Sequence, residues 1–344
     1  MVTNHSHRSE PVIAVSGSIA TDHLMHFPGK FTDSILPDQL ARISLSFLVD
    51  DLVVRRGGVA PNICFGMGLL GVRPVLLGAV GGDFADYRSW LDRHGVDCDH
   101  VKVCEDVQTA RFVCTTDDDL NQIASFYAGA MARAREIELG PVASALGGID
   151  LMMISADDPE AMVRHAEECR HRGFKFAADP SQQLARMDGP ASAALVTGAE
   201  FFISNDYELG LLLSKTGWTK DDLVAHVGFR ITTLGKRGVE IVDRDGSRLH
   251  IAAMPETAKV DPTGVGDGFR AGFLAGRARG LDLQRAAELG SLMATLVLET
   301  VGTQEYRLDW TTGSERLRAA YGEDSANEIT AALGDHGIEL RSAV

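Results

Sequence analysis

Short apolar runs alternate with helix-period segments along most of this chain, and no other feature restricts its fold as much. Val12–Ser16, Pro74–Val80, Leu151–Ser155, Phe174–Ala178, Phe201–Ser204 and Arg230–Leu234 read as strands. Apolar runs of this kind mark strands buried on both faces. Helical stretches stand between them. One runs from Pro61, a residue suited to a first helical turn, to Leu70; another, Phe84–His94, is stopped by Gly95. Pro159–Arg172, Asp206–Ser214, Gly264–Arg279 and Leu283–Thr300 continue the pattern. The alternation predicts an α/β fold, a mostly parallel sheet flanked by helices.

Some segments do not belong in such a sheet. Arg111–Thr116 and Gln122–Tyr127 form a hairpin pattern around Asp117-Asp118-Asp119, and Ser44–Arg55 reads as a strand. Together they predict a small β lid drawn from about residues 18–56 and 108–128. Val239–Asp243 and Arg248–Ala253 read as a further hairpin around Asp245-Gly246. Residues 1–10 are polar and read as a disordered leader, leaving one large domain over 11–335. With 33 basic and 48 acidic residues the formal charge is −15, which disfavours nucleic acid or anionic membrane as partners. No apolar run approaches the roughly 18 residues of a membrane span. Five cysteines without a Cys-x-x-Cys pair speak against a disulfide framework and for a reducing, cytoplasmic setting.

The chemistry is densest in Asp261-Pro262-Thr263-Gly264-Val265-Gly266-Asp267. Glycines before a helix let backbone N–H groups converge on an anion, and the helix N-terminus adds its positive end. Asp267 falls in the first helical turn beside that anion site, where a carboxylate can take a proton from a hydroxyl. The competing reading is a helix cap. Gly57-Gly58 with Asn62 allows close ligand approach. Ser18 and Asp22 follow the first strand, at the end of an α/β sheet where ligands bind. Asn205 and Glu208 share a helix face and suit hydrated Mg²⁺, or else form an ordinary capping box. Thr233 and Gly235 to Gly238 seat a nucleotide or turn a corner. Three constellations carry nothing: the calcium-like start Asp117-x-Asp119-x-Asn121 lacks its glycine and closing Glu; His165 and His171 are six apart on a helix and read as solvated; Asn4-His5-Ser6 is a sequon without secretion. A Gly-x-x-x-x-Gly-Lys phosphate loop is absent.

Taken in order, Gly57-Gly58 with Asn62, Asn205-x-x-Glu208, Thr233-x-Gly235-x-x-Gly238 and Asp261-Pro-Thr-Gly-Val-Gly-Asp267 resemble the ribokinase-like (PfkB) carbohydrate kinases, over about residues 11–335. Within them the chain looks most like the bacterial adenosine kinase branch. The resemblance implies a Rossmann-like domain with a β lid, ATP and Mg²⁺ as cofactors, and transfer of the γ-phosphoryl group to a primary hydroxyl. It implies Asp267 as catalytic base and the Gly264-Val265-Gly266 backbone as anion hole. Ser18, Asp22, Gly58 and Asn62 match ribose positions. Ser46, Phe112, Phe126, Gln182, Gln183 and Arg186 match the substrate pocket and its surroundings. Asn205, Thr233, Gly235 and Gly238 match the nucleotide side, with Asn205 and Glu208 near magnesium through water. Family lids often clasp one another, so a homodimer is implied. The family's potassium effect works through backbone carbonyls near Pro262 and Val265, where Thr and Ala are commoner.

Adenosine is the implied acceptor, the flat pair Phe112 and Phe126 offering stacking area that a free sugar cannot use. A kinase of ribose, fructose or another nucleoside is the alternative. A pure nucleotide-binding module has no need of Asp267, and a dehydrogenase fits poorly because the third glycine of a dinucleotide fingerprint is replaced by Phe269.

Overall fold

The computed structural model describes residues 10–34 and 44–334. The leader, up to residue 9, lies outside the described residues, as does residue 335. The first third of the chain forms β1 (Ile13–Ser16), β2 (Ala20–Phe27), α1 (Phe31–Ser34), β3 (Asp51–Gly57), α2 (Val59–Leu69), β4 (Val75–Leu77), β5 (Ala79–Gly81) and α3 (Ala85–Arg93). Then come β6 (Lys102–Cys104), β7 (Ala110–Asp117), β8 (Gln122–Tyr127), α4 (Leu139–Leu146), β9 (Leu151–Ile154), α5 (Pro159–Arg172), β10 (Phe176–Ala178) and α6 (Gly189–Val196). The last part holds β11 (Phe201–Asn205), α7 (Asp206–Thr216), α8 (Lys220–His226), β12 (Phe229–Thr233), β13 (Val239–Asp243), β14 (Arg248–Ile251), α9 (Val265–Ala278), α10 (Leu283–Leu298), α11 (Trp310–Tyr321) and α12 (Glu323–Gly334).

Eight strands form the main sheet in the order β14-β13-β12-β11-β10-β9-β1-β4. It is parallel from β12 to β4, with β13 and β14 antiparallel at one edge. Side chains alternate across it. Ile13, Val15, Leu151 and Met153 enter a core with Phe65, Phe269, Phe273 and Leu292. Ala14, Met152 and Ile154 enter a second core with Met162, Leu195, Leu209 and Leu212. Two buried faces explain why these strands read as unbroken apolar runs rather than alternating ones.

On the first face α9 and α10 pack at very close range. A Cβ at Gly268 would come within 2.8 Å of a Val297 methyl and 3.1 Å of the Met293 carbonyl oxygen. Helix propensity alone gives no reason for glycine at this position; the packing does, and it fixes the helix that carries Asp267.

A smaller sheet of order β3-β2-β7-β8 makes the lid. Its β2–β7 pair is parallel and the other two are antiparallel. Asp22 lies opposite Arg55 on one side and Phe112 on the other, and Phe112 lies opposite Phe126.

Three readings are corrected. The Ser44–Arg55 strand begins only at Asp51. Pro74–Val80 is two strands: β4 joins the main sheet, and β5 turns away to pair with β6. His165 is buried, not solvated. It shares the core-facing stripe of α5 with Ala161, Met162, Ala166 and Cys169, its Nε2 lies 3.2 Å from the Ile137 carbonyl oxygen, and burial lowers its pKa to about 4.

Candidate active site

The parallel strands of the main sheet all end on one side, and the polar residues that follow them converge there. Ser18 follows β1, Ser181 to Gln183 follow β10, Asn205 closes β11 and Thr233 closes β12. With the lid and the start of α9 they enclose a cavity of about 700 Å³. Nearly all the expected site residues line it: Ser18, Asp22, Gly58, Asn62, Phe112, Phe126, Gln182, Gln183, Arg186, Asn205, Glu208, Thr233, Gly235, Gly264, Gly266 and Asp267. Gly238 and Val265 line a second cavity of about 370 Å³ that shares Thr233, Gly235 and Gly266 with the first. Ser46 lines neither and is exposed.

The floor is the segment before α9. Gly264 takes a left-handed conformation with φ 76°, and a Cβ there would meet the Thr303 side chain at 2.7 Å. Asp261 holds the turn, its Oδ1 accepting from Thr263 N–H at 2.9 Å and its Oδ2 from Gly302 N–H at 3.3 Å. First-turn N–H groups of a helix have no intrahelical acceptor, so the start of α9 presents donors to the cavity. Asp267 stands among them and accepts from Asn62 Nδ2 at 2.9 Å. Loss of water around its carboxylate raises the pKa to about 7, against the pull of Arg270 and the Asn62 hydrogen bond. A carboxylate poised there exchanges protons readily at neutral pH.

Several cavity residues were not expected from the sequence. Arg270, one turn after Asp267, is 5% exposed and pairs with Asp179, which is 0% exposed. Its Nη2 donates to Asp179 Oδ1 at 2.6 Å, and its Nε closes a second contact. Burial raises the Asp179 pKa to about 6 even so. An arginine three residues along a helix carries no motif, and its partner lies 91 residues away. Asn62 is held in turn by Gln304, whose Nε2 donates to Asn62 Oδ1 at 2.9 Å. Ser181, with φ 45°, and Thr303 also face the cavity.

The lid supplies the opposite wall. Burial raises the pKa of Asp22, which Arg55 lowers in part. Phe126 is 51% exposed and Phe112 half-buried, so neither ring belongs to a core. On the other wall Asn205 and Glu208 do form a capping box: Asn205 Oδ1 accepts from Glu208 N–H, and Glu208 Oε2 from Asn205 N–H, both at 2.8 Å. Both nonetheless line the cavity. Among the described residues no group of three or more His, Cys, Asp or Glu can hold a metal by itself. Asn205 and Glu208, both on the cavity wall, are oxygen donors that fit a cation bringing most of its ligands with it, as Mg²⁺ does with water and phosphate oxygens. No helix among the described residues is long and apolar enough to cross a membrane.

Residues 29–310 match the pfkB family of carbohydrate kinases. A nucleoside kinase of Methanothermobacter thermautotrophicus is 30% identical over 309 residues, 89% of this chain and 95% of that one. An ATP-dependent ribose-1-phosphate kinase of Halopiger xanaduensis is 29% identical, over 72% of this chain and 82% of that one. The nucleoside kinase of Burkholderia thailandensis in complex with inosine superposes with a TM-score of 0.79 at 34% identity, covering 91% of this chain and 99% of that one. The same enzyme is also known in complex with ADP-inosine. A match over most of the length, on a ribokinase-like sheet and lid with the glycine turn and aspartate at one cavity, makes this chain a member of the pfkB carbohydrate kinase family, a phosphotransferase with an alcohol group as acceptor.

Proposed function

We propose that this kinase transfers the γ-phosphoryl group of ATP to the 5′-hydroxyl of adenosine, giving AMP. The observation that carries the reading is Asp267 beside the Gly264 turn, in a cavity that the lid residues Asp22, Phe112 and Phe126 and the sheet-end residues Asn205, Thr233 and Gly235 all line. Ser18, Asp22, Gly58 and Asn62 take the ribose. Phe112 and Phe126 flank the base, and Gln182, Gln183 and Arg186 border it. Gln183 Oε1 is a buried acceptor without a partner. Asn205, Thr233 and Gly235 take the phosphates and sugar of ATP, and the adjoining cavity with Gly238 and Val265 takes its base. Asp267 accepts the 5′-hydroxyl proton as that oxygen attacks the γ-phosphorus, and ADP leaves. The amides of Gly264 to Gly266 face the charge on the transferring group, which is mainly what phosphoryl transfer asks of a protein. Mg²⁺, bound by the phosphates and through water by Glu208 and Asn205, would neutralise phosphate charge. Five free, buried thiols suit a cytoplasmic setting.

A second reading, a 6-oxopurine nucleoside such as inosine, is favoured by Arg186 at the cavity wall. A guanidinium only donates, so it suits a 6-oxygen better than a 6-amino group. Adenosine, inosine, guanosine, ribose and fructose compared in one ATP-consumption assay test the proposal. Each stacking ring contributes roughly 1–3 kcal/mol, so two rings favour adenosine over ribose by roughly 10²-fold in kcat/KM. The double variant Phe112→Ala, Phe126→Ala should raise the nucleoside KM and leave the ATP KM alone. Equal efficiency on ribose, or an unchanged nucleoside KM in the folded variant, refutes this reading.

We further propose a homodimer built through the lids. Side chains alternate along each strand, so the face turned away from the cavity carries Leu52, Val54, Ile123 and Tyr127, all at 47–56% exposure. Among the described residues β3 and β8 have no strand on their outer sides, and open edges invite pairing. Light scattering at micromolar concentration should give twice 37.0 kDa; a monomer refutes the proposal.

A further inference from the structure

Behind the proposed base lies a buried polar relay that runs in one direction. Gln304, Tyr87 and Asn62 are 1%, 4% and 6% exposed. Trp90 Nε1 donates to Gln304 Oε1 at 3.1 Å. Gln304 Nε2 donates to Asn62 Oδ1 at 2.9 Å and to the Tyr87 hydroxyl at 2.6 Å. Asn62 Nδ2 donates to Asp267 Oδ2 at 2.9 Å, and the Tyr87 hydroxyl donates to the Gly57 carbonyl at 2.8 Å.

The order of donors in this relay is forced. An indole nitrogen can only donate. It therefore requires the oxygen of the Gln304 amide to face Trp90, which turns the Gln304 nitrogen toward Asn62. Asn62 must then offer its oxygen to Gln304 and its nitrogen to Asp267. Were Asn62 reversed, its oxygen would face the carboxylate, and two acceptors would confront each other in a site largely closed to water. The same Gln304 nitrogen, through Tyr87, fixes the carbonyl of Gly57 next to Gly58. One amide thus holds both the partner of the base and the glycine pair opposite it.

We propose that Gln304, oriented by the indole N–H of Trp90, is a positioning residue that sets which end of the Asn62 amide faces Asp267. With a donor on Oδ2, the other carboxylate oxygen is left to accept the substrate hydroxyl proton. The inference rests on the kinase reading given above. It adds residues from α3 and from the segment after α10 that touch no substrate.

Two variants test it. Gln304→Glu keeps the shape and an acceptor for Trp90 but removes the donors to Asn62 and Tyr87. Trp90→Phe keeps a ring against Phe65 and under Arg56 and removes only the N–H. Kinetics are measured on the nucleoside that the wild type turns over best. Gln304→Glu should lower kcat by roughly ten- to hundred-fold, the scale for loss of an orienting partner, with the ATP KM within about threefold. Trp90→Phe should lower kcat in the same direction and to a smaller extent.

Loss of the Asn62 donor also removes a hydrogen bond that favours the ionised form of Asp267. The acid limb of the kcat/KM profile should therefore move to higher pH in both variants; Gln304→Glu brings a carboxylate of its own that pushes the same way, so Trp90→Phe is the diagnostic case. The other ionisable groups that act on Asp267, namely Arg270, Asp179, Glu208 and Tyr306, are untouched. In Trp90→Phe a merely structural role would reduce the amount of folded protein without moving that limb. The Trp90 indole N–H resonance of the wild type, expected downfield among the three tryptophans, should move upfield in a Gln304→Met variant, and this readout needs no activity. If Gln304→Glu does not fold, Trp90→Phe decides. A folded Trp90→Phe with kcat within twofold of wild type and an unmoved acid limb overturns the proposal, as does an indole resonance unchanged in Gln304→Met. A wild type without nucleoside kinase activity overturns the kinase reading instead, and leaves the resonance test of the relay standing.

Discussion

Asp267→Asn is expected to lower kcat by at least about 10²-fold, the usual scale for a general base, while adenosine and ATP bind within a few-fold of wild type. Asparagine keeps the shape and can still accept from Asn62, so binding and packing should survive. What is lost is the site that takes the proton. The wild-type profile carries a second signature. With the Asp267 pKa near 7, activity should fall as pH drops through about 7, because only the ionised form accepts a proton. Stability should move the other way. A carboxylate whose folded pKa is raised contributes most below its unfolded value, here near 4, and that contribution is lost as pH rises through about 7. Asp267→Asn should therefore flatten the melting temperature between pH 4 and 8 relative to wild type. Near-normal turnover in a folded variant would remove Asp267 from the reaction.

Arg270→Gln should produce the largest loss of stability of any single change in the cavity. It leaves Asp179 buried and without its partner, and breaking such a pair costs about 3–5 kcal/mol. The deficit should itself depend on pH. Asp179 is already held above its usual range by burial, and without Arg270 it rises further. The variant can then recover stability by protonating Asp179, so its deficit should be small near pH 4 and grow toward pH 8. Urea titrations at the two pH values measure this. Arg270 is also the strongest influence lowering the Asp267 pKa, so the acid limb of activity should move up in the folded fraction. A deficit under about 1 kcal/mol at pH 8 would mean that water or a neighbour compensates Asp179.

The sequence carried the parts of this design that local rules encode. β1, β9, β10 and β11 were readable because a strand in the middle of a covered sheet must be apolar on both sides. The Gly264 turn and Asp267 were readable because the glycines of Gly264-Val265-Gly266 mark a turn into a helix. Legibility stopped where a role depends on distant partners. Arg270 looks like any helical arginine until Asp179 is placed beside it, and Gln304 acquires meaning only from Asn62, 242 positions earlier. His165 was misread for a related reason: six-residue spacing to His171 says nothing about a stripe shared with Met162 and Cys169. The division of Pro74–Val80 was hidden because both halves are buried, β4 in one sheet and β5 in another.

The register of the lid places Arg55, Asp22, Phe112 and Phe126 in a single line across four strands. Neighbouring strands stand about 4.8 Å apart, so that line is a ruler with fixed graduations. On the proposed reading, Asp22 meets a ribose hydroxyl at one mark and the two rings meet the base at the next two. If that reading holds, backbone pairing sets the spacing between the sugar and base positions. A slip of one residue in β7 would turn Phe112 to the outer face, abolishing base recognition while leaving the Asp267 floor intact. On the proposed reading, acceptor choice and phosphoryl chemistry lie on separate parts of the chain. A new acceptor can be accommodated by changing what stands on one rung, without rebuilding the floor beneath it.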